Sequence, residues 1–159
     1  MKLRSLSLDD RLRIAVNVAW CLNYLHNERA IPHGNLKSTN ILLEPQNMNP
    51  LLTDCSLHRI LTSAGTAEQV LNAELLIGKS SPEIVSADPG VVDLTDWERL
   101  LSEENRSSEC FDKLLMDTTN VKAPRVLDEM LQVALRCILP ASERPDMKTV
   151  FEDLSTVAL

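Results

Sequence analysis

Glycine, aromatic residues and positive charge are all scarce in this 159-residue sequence. The four glycines, at positions 34, 65, 78 and 90, lie too far apart to build a G-x-G-x-x-G turn, so no phosphate-cradling loop of that kind exists here. Aromatics make up 3% of the residues (Trp20, Tyr24, Trp97, Phe111 and Phe151), which leaves any core to aliphatic side chains. Lys plus Arg number 16 against 23 Asp plus Glu, a formal charge of −7, so the chain has no general attraction for nucleic acid or an anionic membrane, and no nucleic-acid partner is expected. Cys21, Cys55, Cys110 and Cys137 form no C-x-x-C pair and no zinc spacing, which favours reduced thiols over a disulfide framework. No apolar run approaches the length of about 18 residues that a membrane span needs. Met1-Lys2-Leu3-Arg4 is basic, but Asp9 and Asp10 arrive before any apolar stretch, so no signal peptide is expected. These absences predict a soluble, cytoplasmic chain. Its 44% hydrophobic and 25% charged residues are the balance of one globular domain.

What is present is mostly helical patterning. Leu8, Leu12, Ala15, Val16, Ala19 and Leu22 recur at three- and four-residue spacing and predict one apolar helix face. Ser7 with Asp10 three residues later resembles a capping box. The helix is expected to end near Leu25 or His26, before Ala30-Ile31-Pro32. His33 to Asn40 reads as a polar loop. The short runs Ile41-Leu42-Leu43 and Leu51-Leu52-Thr53, around Pro45, Asn47, Asn49 and Pro50, predict a small β-hairpin. Residues 54–73 read as loop, Glu74 to Ile77 as a last helical turn closed by Gly78, a short helix carries Leu94, Trp97, Leu100 and Leu101, and residues 102–123 read as irregular. Leu127, Met130, Leu131, Ala134 and Ile138 form a second stripe between Pro124 and Pro140; Met147, Val150, Phe151 and Leu154 form a third that starts near Pro145. Pattern alone gives a mainly α domain with one small hairpin.

His33-Gly34-Asn35-Leu36-Lys37-Ser38-Thr39-Asn40 resembles the protein-kinase catalytic loop H-R-D-L-K-x-x-N, and follows a long amphipathic helix as that loop does. Asp54-Cys55-Ser56 stands where that family has D-F-G. Glu143-Arg144-Pro145-Asp146-Met147 resembles its E-R-P-x-M run, Val133 to Cys137 the helix before it, and Leu75-Leu76-Ile77-Gly78-Lys79 the end of its central helix. Order and spacing together make the chain, from about Leu6 to Leu159, similar to the C-terminal lobe of plant leucine-rich-repeat receptor-like kinases. The resemblance implies a kinase C-lobe-like helical domain, here incomplete. It divides the chain into residues 6–73, carrying the catalytic-loop helix, the loop and the start of the activation segment, and residues 74–159, carrying the C-terminal helices. It also implies a plasma-membrane parent family, with other receptor-like kinases or signalling proteins as partners.

The departures from the family pattern carry the functional expectation. The chain begins at the catalytic-loop helix, so the Gly-rich loop, the strand Lys and the helix Glu that grip ATP are missing from it. Asn35 occupies the position of the catalytic Asp; an amide has no useful basicity near neutral pH, and general-base help is worth roughly 10²–10⁴-fold. Gly34 replaces the Arg that receives an activation-loop phosphate. Lys37 is a vestigial phosphate-facing residue, and Asn40 and Asp54 are vestigial Mg-ATP positions with Cys55 and Ser56 replacing Phe and Gly; the competing structural reading has Lys37 solvated, Asn40 satisfying loop backbone and Asp54 capping a turn. Mg-ATP is implied by resemblance only, and no cofactor is expected. Between Asp54 and Leu75 some 30 to 40 residues of the activation segment and central helix are expected to be missing, near Ala73-Glu74. That loss predicts that the stripes Leu12/Val16/Ala19 and Leu131/Ala134/Ile138 are partly unpartnered, that Arg144 lacks the Glu it pairs with in the family, and that stability is marginal or is supplied by a partner or oligomer.

Three readings follow: a noncatalytic interaction module, a non-functional splice or gene-model fragment, and, ranked below both, an active kinase. A hydrolase using His26, His33 or His58 with Ser38 or Cys55 lacks any supporting elbow or metal motif.

Overall fold

The computed structural model describes residues 6–34, 36–55, 111, 115, 123–137, 139 and 142–158. Helix α1 spans Leu8–Arg29, strands β1 and β2 span Ile41–Leu43 and Pro50–Leu52, helix α2 spans Ala123–Cys137, and helix α3 spans Met147–Val157. The mainly helical architecture with a single hairpin, expected from the pattern, is what these residues form. The expected elements within 56–110 lie outside the described residues, as do Asn35 and Ile138.

The N-terminus of α1 is set by Ser7. Its hydroxyl accepts from the Asp10 amide at 3.1 Å and donates to the Asp10 carboxylate at 2.8 Å, while the Ser7 amide donates to the same carboxylate at 3.3 Å. This is the reciprocal box the sequence suggests, with Asp doing the work of Glu. The helix does not stop at Leu25 or His26 but runs to Arg29, because nothing before Pro32 forbids helical backbone. Ala30 ends it in the left-handed region, φ 51°, and the Ala30 and Ile31 amides both turn back to the Leu25 carbonyl.

Helix α1 is apolar on two faces. Leu8, Leu12, Ala15 and Ala19 join a core with Leu127, Met130, Leu131, Ala134 and Cys137 of α2 and Val150 and Leu154 of α3. Ile14, Val18 and Leu22 form a second cluster around Leu36, edged by Ile41, Leu43 and Leu52. The predicted face found the first set and Leu22 but not Ile14 and Val18. The expectation of unpartnered stripes is corrected for Leu12, Ala19, Leu131 and Ala134, each at most 7% exposed, because α1, α2 and α3 bury them against one another and against Phe111 and Leu115; Val16 is partly buried against the same core, and Ile138 lies outside the described residues. Phe111 and Leu115 also correct the reading of 102–123 as merely polar and irregular. Ala123, at the end of that stretch, already belongs to α2.

Asp146 caps α3, accepting from the Thr149 amide at 2.8 Å, and that bond holds its carboxyl below the usual range. Arg136 of α2 pairs with Asp153 of α3. Arg144 is held by backbone: its Nε and Nη2 both donate to the Leu139 carbonyl, at 3.1 and 2.9 Å, so it closes the C-terminal end of α2.

Candidate functional site

The loop after α1 is built downward before it can present anything upward. His33 is fully buried and Leu36 is 1% exposed, its side chain set among Ile14, Val18 and Leu22. Gly34 between them is buried with φ 71°, a left-handed backbone that costs a side-chain-bearing residue roughly 1–2 kcal/mol and glycine little. The Gly of H-G-N-L-K therefore suits the backbone it occupies.

A 3-10 turn, Ser38–Asn40, lifts the chain into β1. The Asn40 amide donates to the Lys37 carbonyl at 2.9 Å. Asn40 is 6% exposed, and its carbonyl accepts from both the amide of Thr53, at 2.9 Å, and the Thr53 hydroxyl, at 3.2 Å. The strands pair antiparallel with Ile41 opposite Leu52, Leu42 opposite Leu51 and Leu43 opposite Pro50. The hairpin with its double bond from Thr53 thus brings Asn40 and Asp54 to one end of the ribbon. Asp54 is exposed and left-handed, φ 57°, a conformation Asp tolerates better than most residues.

Of the four residues the sequence singles out, the structure brings Asn40 and Asp54 together through Thr53. Lys37 is exposed on the same loop, and Asn35 lies outside the described residues. No ion pair joins Lys37 to Asp54 among the described residues. A Mg²⁺ ion takes six oxygens and is commonly held by one or two carboxylates plus substrate phosphates. Among the described residues no three His, Cys, Asp or Glu side chains converge on a metal position. Asn40 and Asp54 therefore suit such an ion only in company with a phosphate-bearing ligand.

Two of the groups named for the hydrolase alternative, His33 and Cys55, are poorly suited to it, and His58 lies outside the described residues. His33 has no exposed surface to act as a base. Burial, then the charge of Asp54, pushes the Cys55 thiol up, against a backbone hydrogen bond that lowers it; Cys21 is raised by burial and then by Cys55. Both changes favour the poorly nucleophilic thiol.

Sequence reasoning missed one feature of this region. Leu42 and Leu51, directly opposite each other, are 54% and 50% exposed, an apolar pair on the outer face of the hairpin. The signal was available in the two-residue period: Ile41 and Leu43 face the second cluster, so Leu42 must face out.

Comparison with known proteins bears on what this arrangement belongs to. The chain is 40% identical to the leucine-rich-repeat receptor-like serine/threonine-protein kinase GHR1 of Arabidopsis thaliana over 96% of its own length, and 36% identical, again over 96%, to the probable inactive receptor kinase At5g10020 of that plant. It spans less than a fifth of either relative, 18% and 17%. The GHR1 match runs over 186 residues, whereas 96% of this chain is about 153, so roughly 33 positions of that relative have no counterpart here. The number agrees with the expected internal loss; its expected place, near Ala73-Glu74, lies outside the described residues. Among solved structures, the maize SIRK1 kinase domain bound to AMP-PNP superposes on the whole chain with a TM-score of 0.83 and 41% identity, the chain covering 62% of that domain. The family model described as protein tyrosine and serine/threonine kinase matches residues 1–93, more than half of the sequence, and the chain belongs to that family.

Proposed function

We propose that this chain is a kinase-type lower lobe that transfers no phosphate and serves receptor-kinase signalling as a binding module. The observation that carries this reading is the residue pattern of the loop. Its supports are kept, with His33 and Leu36 buried and Asn40 tied to Thr53, while the position that would withdraw the substrate proton holds Asn35. An amide there removes general-base catalysis and leaves the scaffold intact. Similarity to a relative called a probable inactive receptor kinase supports the same reading.

Two exposed apolar features favour protein contact over solvent alone. One is the Leu42–Leu51 pair; the other is the Trp20–Tyr24 stack on α1, ring centroids 6.5 Å apart, with Trp20 56% exposed. Other receptor-like kinases or signalling proteins on the cytoplasmic side of the plasma membrane are the proposed partners. No helix among the described residues is long and apolar enough to cross a membrane. Lys37, Asn40 and Asp54 are proposed as vestiges of a Mg-ATP site of the sort the AMP-PNP-bound neighbour represents.

The test is phosphate transfer by the purified chain with Mg-ATP and a generic protein substrate, followed by mass spectrometry. No incorporation above a no-protein blank is expected. Incorporation that Asp54→Ala abolishes overturns the proposal. A thermal melt with Mg-ATP separates two forms of it: an unchanged midpoint fits a pure binding module, and an upward shift means that the chain still takes nucleotide.

A further inference from the structure

Away from the Asn40–Asp54 end of the hairpin, a cleft of about 260 Å³ opens between the last turn of α1, the end of α2 and the start of α3. Cys137 and Val150 are buried in its floor, and His26, Asn27, Arg144 and Asp146 stand around it. Arg144 is half-buried and has no carboxylate partner among the described residues. Two of its donors go to the Leu139 carbonyl, which fixes the guanidinium plane, and the rest of its five N–H groups have no partner among the described residues. Asp146 forms no ion pair with it among the described residues, one of its carboxylate oxygens accepting from the Thr149 amide. A partly desolvated cation held in one orientation beside an apolar floor is a recognition arrangement, because a guanidinium matches a planar carboxylate with two parallel hydrogen bonds.

We propose that this cleft binds a small organic monocarboxylate, its charged head on Arg144 and a compact apolar body on Cys137 and Val150. The volume lies just under the usual range of about 300–1,000 Å³ for drug-sized ligands, so the ligand is of fragment size. Asp146 on the rim selects one negative charge over two, which disfavours phosphate. The site is separate from the proposed phosphate-transfer remnants and does not depend on that reading.

Benzoate is the probe, benzamide its uncharged isostere, and inorganic phosphate, used well above its second pKa, the dianionic control. Binding is read from the Arg144 Nε–H and Val150 methyl resonances of the isotope-labelled chain. Benzoate shifts both saturably in the millimolar range, benzamide binds about tenfold more weakly or worse, and phosphate does not bind. Arg144→Gln abolishes the benzoate response. Because that variant also gives up the bonds to Leu139, Asp146→Asn provides the second arm: asparagine caps a helix as well as aspartate does, so the fold is kept, and removing the rim charge tightens benzoate about two- to threefold with no change for benzamide. Equal binding of benzamide, binding of phosphate in place of benzoate, an Asp146→Asn chain with unaltered benzoate affinity, or shifts that map to Arg13 or Arg29 instead would each overturn the proposal.

Discussion

Leu36 is the point at which the loop is attached to the body of the fold, and Leu36→Ala measures how firmly. The side chain is 1% exposed and sits among Ile14, Val18 and Leu22, three residues spaced four apart on one face of α1. Truncation removes the transfer energy of the deleted carbons and adds a cavity term; buried Leu→Ala changes span about 2–5 kcal/mol. The second cluster is small, and its edge residues Ile41, Leu43 and Leu52 are only half-buried, so the site can partly collapse. The expected cost is therefore in the lower half of that range, about 2–3 kcal/mol, a large share of a net stability of roughly 5–15 kcal/mol. Urea unfolding followed by far-UV circular dichroism reads it as a lower midpoint at an unchanged slope. Amide exchange supplies the local signature. The Thr53 amide, bonded to Asn40 on the far side of the loop, exchanges faster relative to the α2 amides, whereas Leu131→Ala in the larger core speeds all of them together. A midpoint change worth less than ~0.5 kcal/mol, or loss of protection spread evenly over the molecule, refutes the argument that α1 holds the loop through its second face.

Gly34→Ala places a Cβ on a buried, left-handed residue and is expected to lower stability by about 1–2 kcal/mol, read from the thermal midpoint; an unchanged midpoint would mean that the loop relaxes to negative φ. Asp146→Ala removes the α3 cap and is expected to cost about 1 kcal/mol, with Asp146→Asn recovering most of it. The pH dependence has a definite sign. Thr149 holds the folded-state carboxyl of Asp146 below its unfolded value, so its contribution is fully present above the ordinary carboxylate range and fades as pH falls through the lower folded value; wild type therefore loses more stability than Asp146→Asn on acidification below about pH 4. Equal losses in the two proteins would remove Asp146 from the account. The Arg136–Asp153 pair is partly exposed, at 44% and 35% of its side chains, and a double-mutant cycle is expected to give under about 1 kcal/mol, less at high salt.

How far the fold could be read from residues alone depended on how local its causes were. The capping box at Ser7, the hairpin around Asn47 and the starts of α2 and α3 are fixed by residues within a few positions of each other, and they were legible. In the hairpin the Asn47 side chain accepts from the Asn49 amide at 3.0 Å, while Met48 takes φ 59°, the turn chemistry that the Asn-rich stretch advertises. The α1 terminus was misplaced by about one turn because Ala30, an ordinary residue in a left-handed conformation, carries no signal that glycine would have given. The roles of Leu36 and Arg144 were hidden for a different reason. Each depends on a partner far off in sequence or on a backbone carbonyl, and neither follows from a spacing rule. At the candidate site, Asn40 and Asp54 were found by resemblance, but Thr53, whose amide and hydroxyl join them, matched no motif.

The two-faced character of α1 also changes the stability argument. A shortened chain was expected to leave apolar stripes without cover, yet Leu12, Ala15 and Ala19 meet α2 and α3 while Ile14, Val18 and Leu22 meet the loop and hairpin. Burial of a large aliphatic side chain is worth about 1.5–3 kcal/mol. Deleting roughly 33 positions relative to GHR1 would be ruinous if those positions supplied the only partners of these residues. They do not, because α1 packs on both sides at once and so couples the helical core to the candidate site. That coupling supports the loop through His33 and Leu36, by packing that does not call on Asn35 for catalysis. Leu36 and His33 are fixed by burial, and on the proposed reading the residue at position 35 decides only proton withdrawal. Asn35→Asp exchanges side chains of nearly equal volume and is expected to leave the unfolding midpoint within about 0.5 kcal/mol of its starting value, and to restore no phosphate transfer; a chain made active by that one change would mean that the remaining groups are functional and not vestigial.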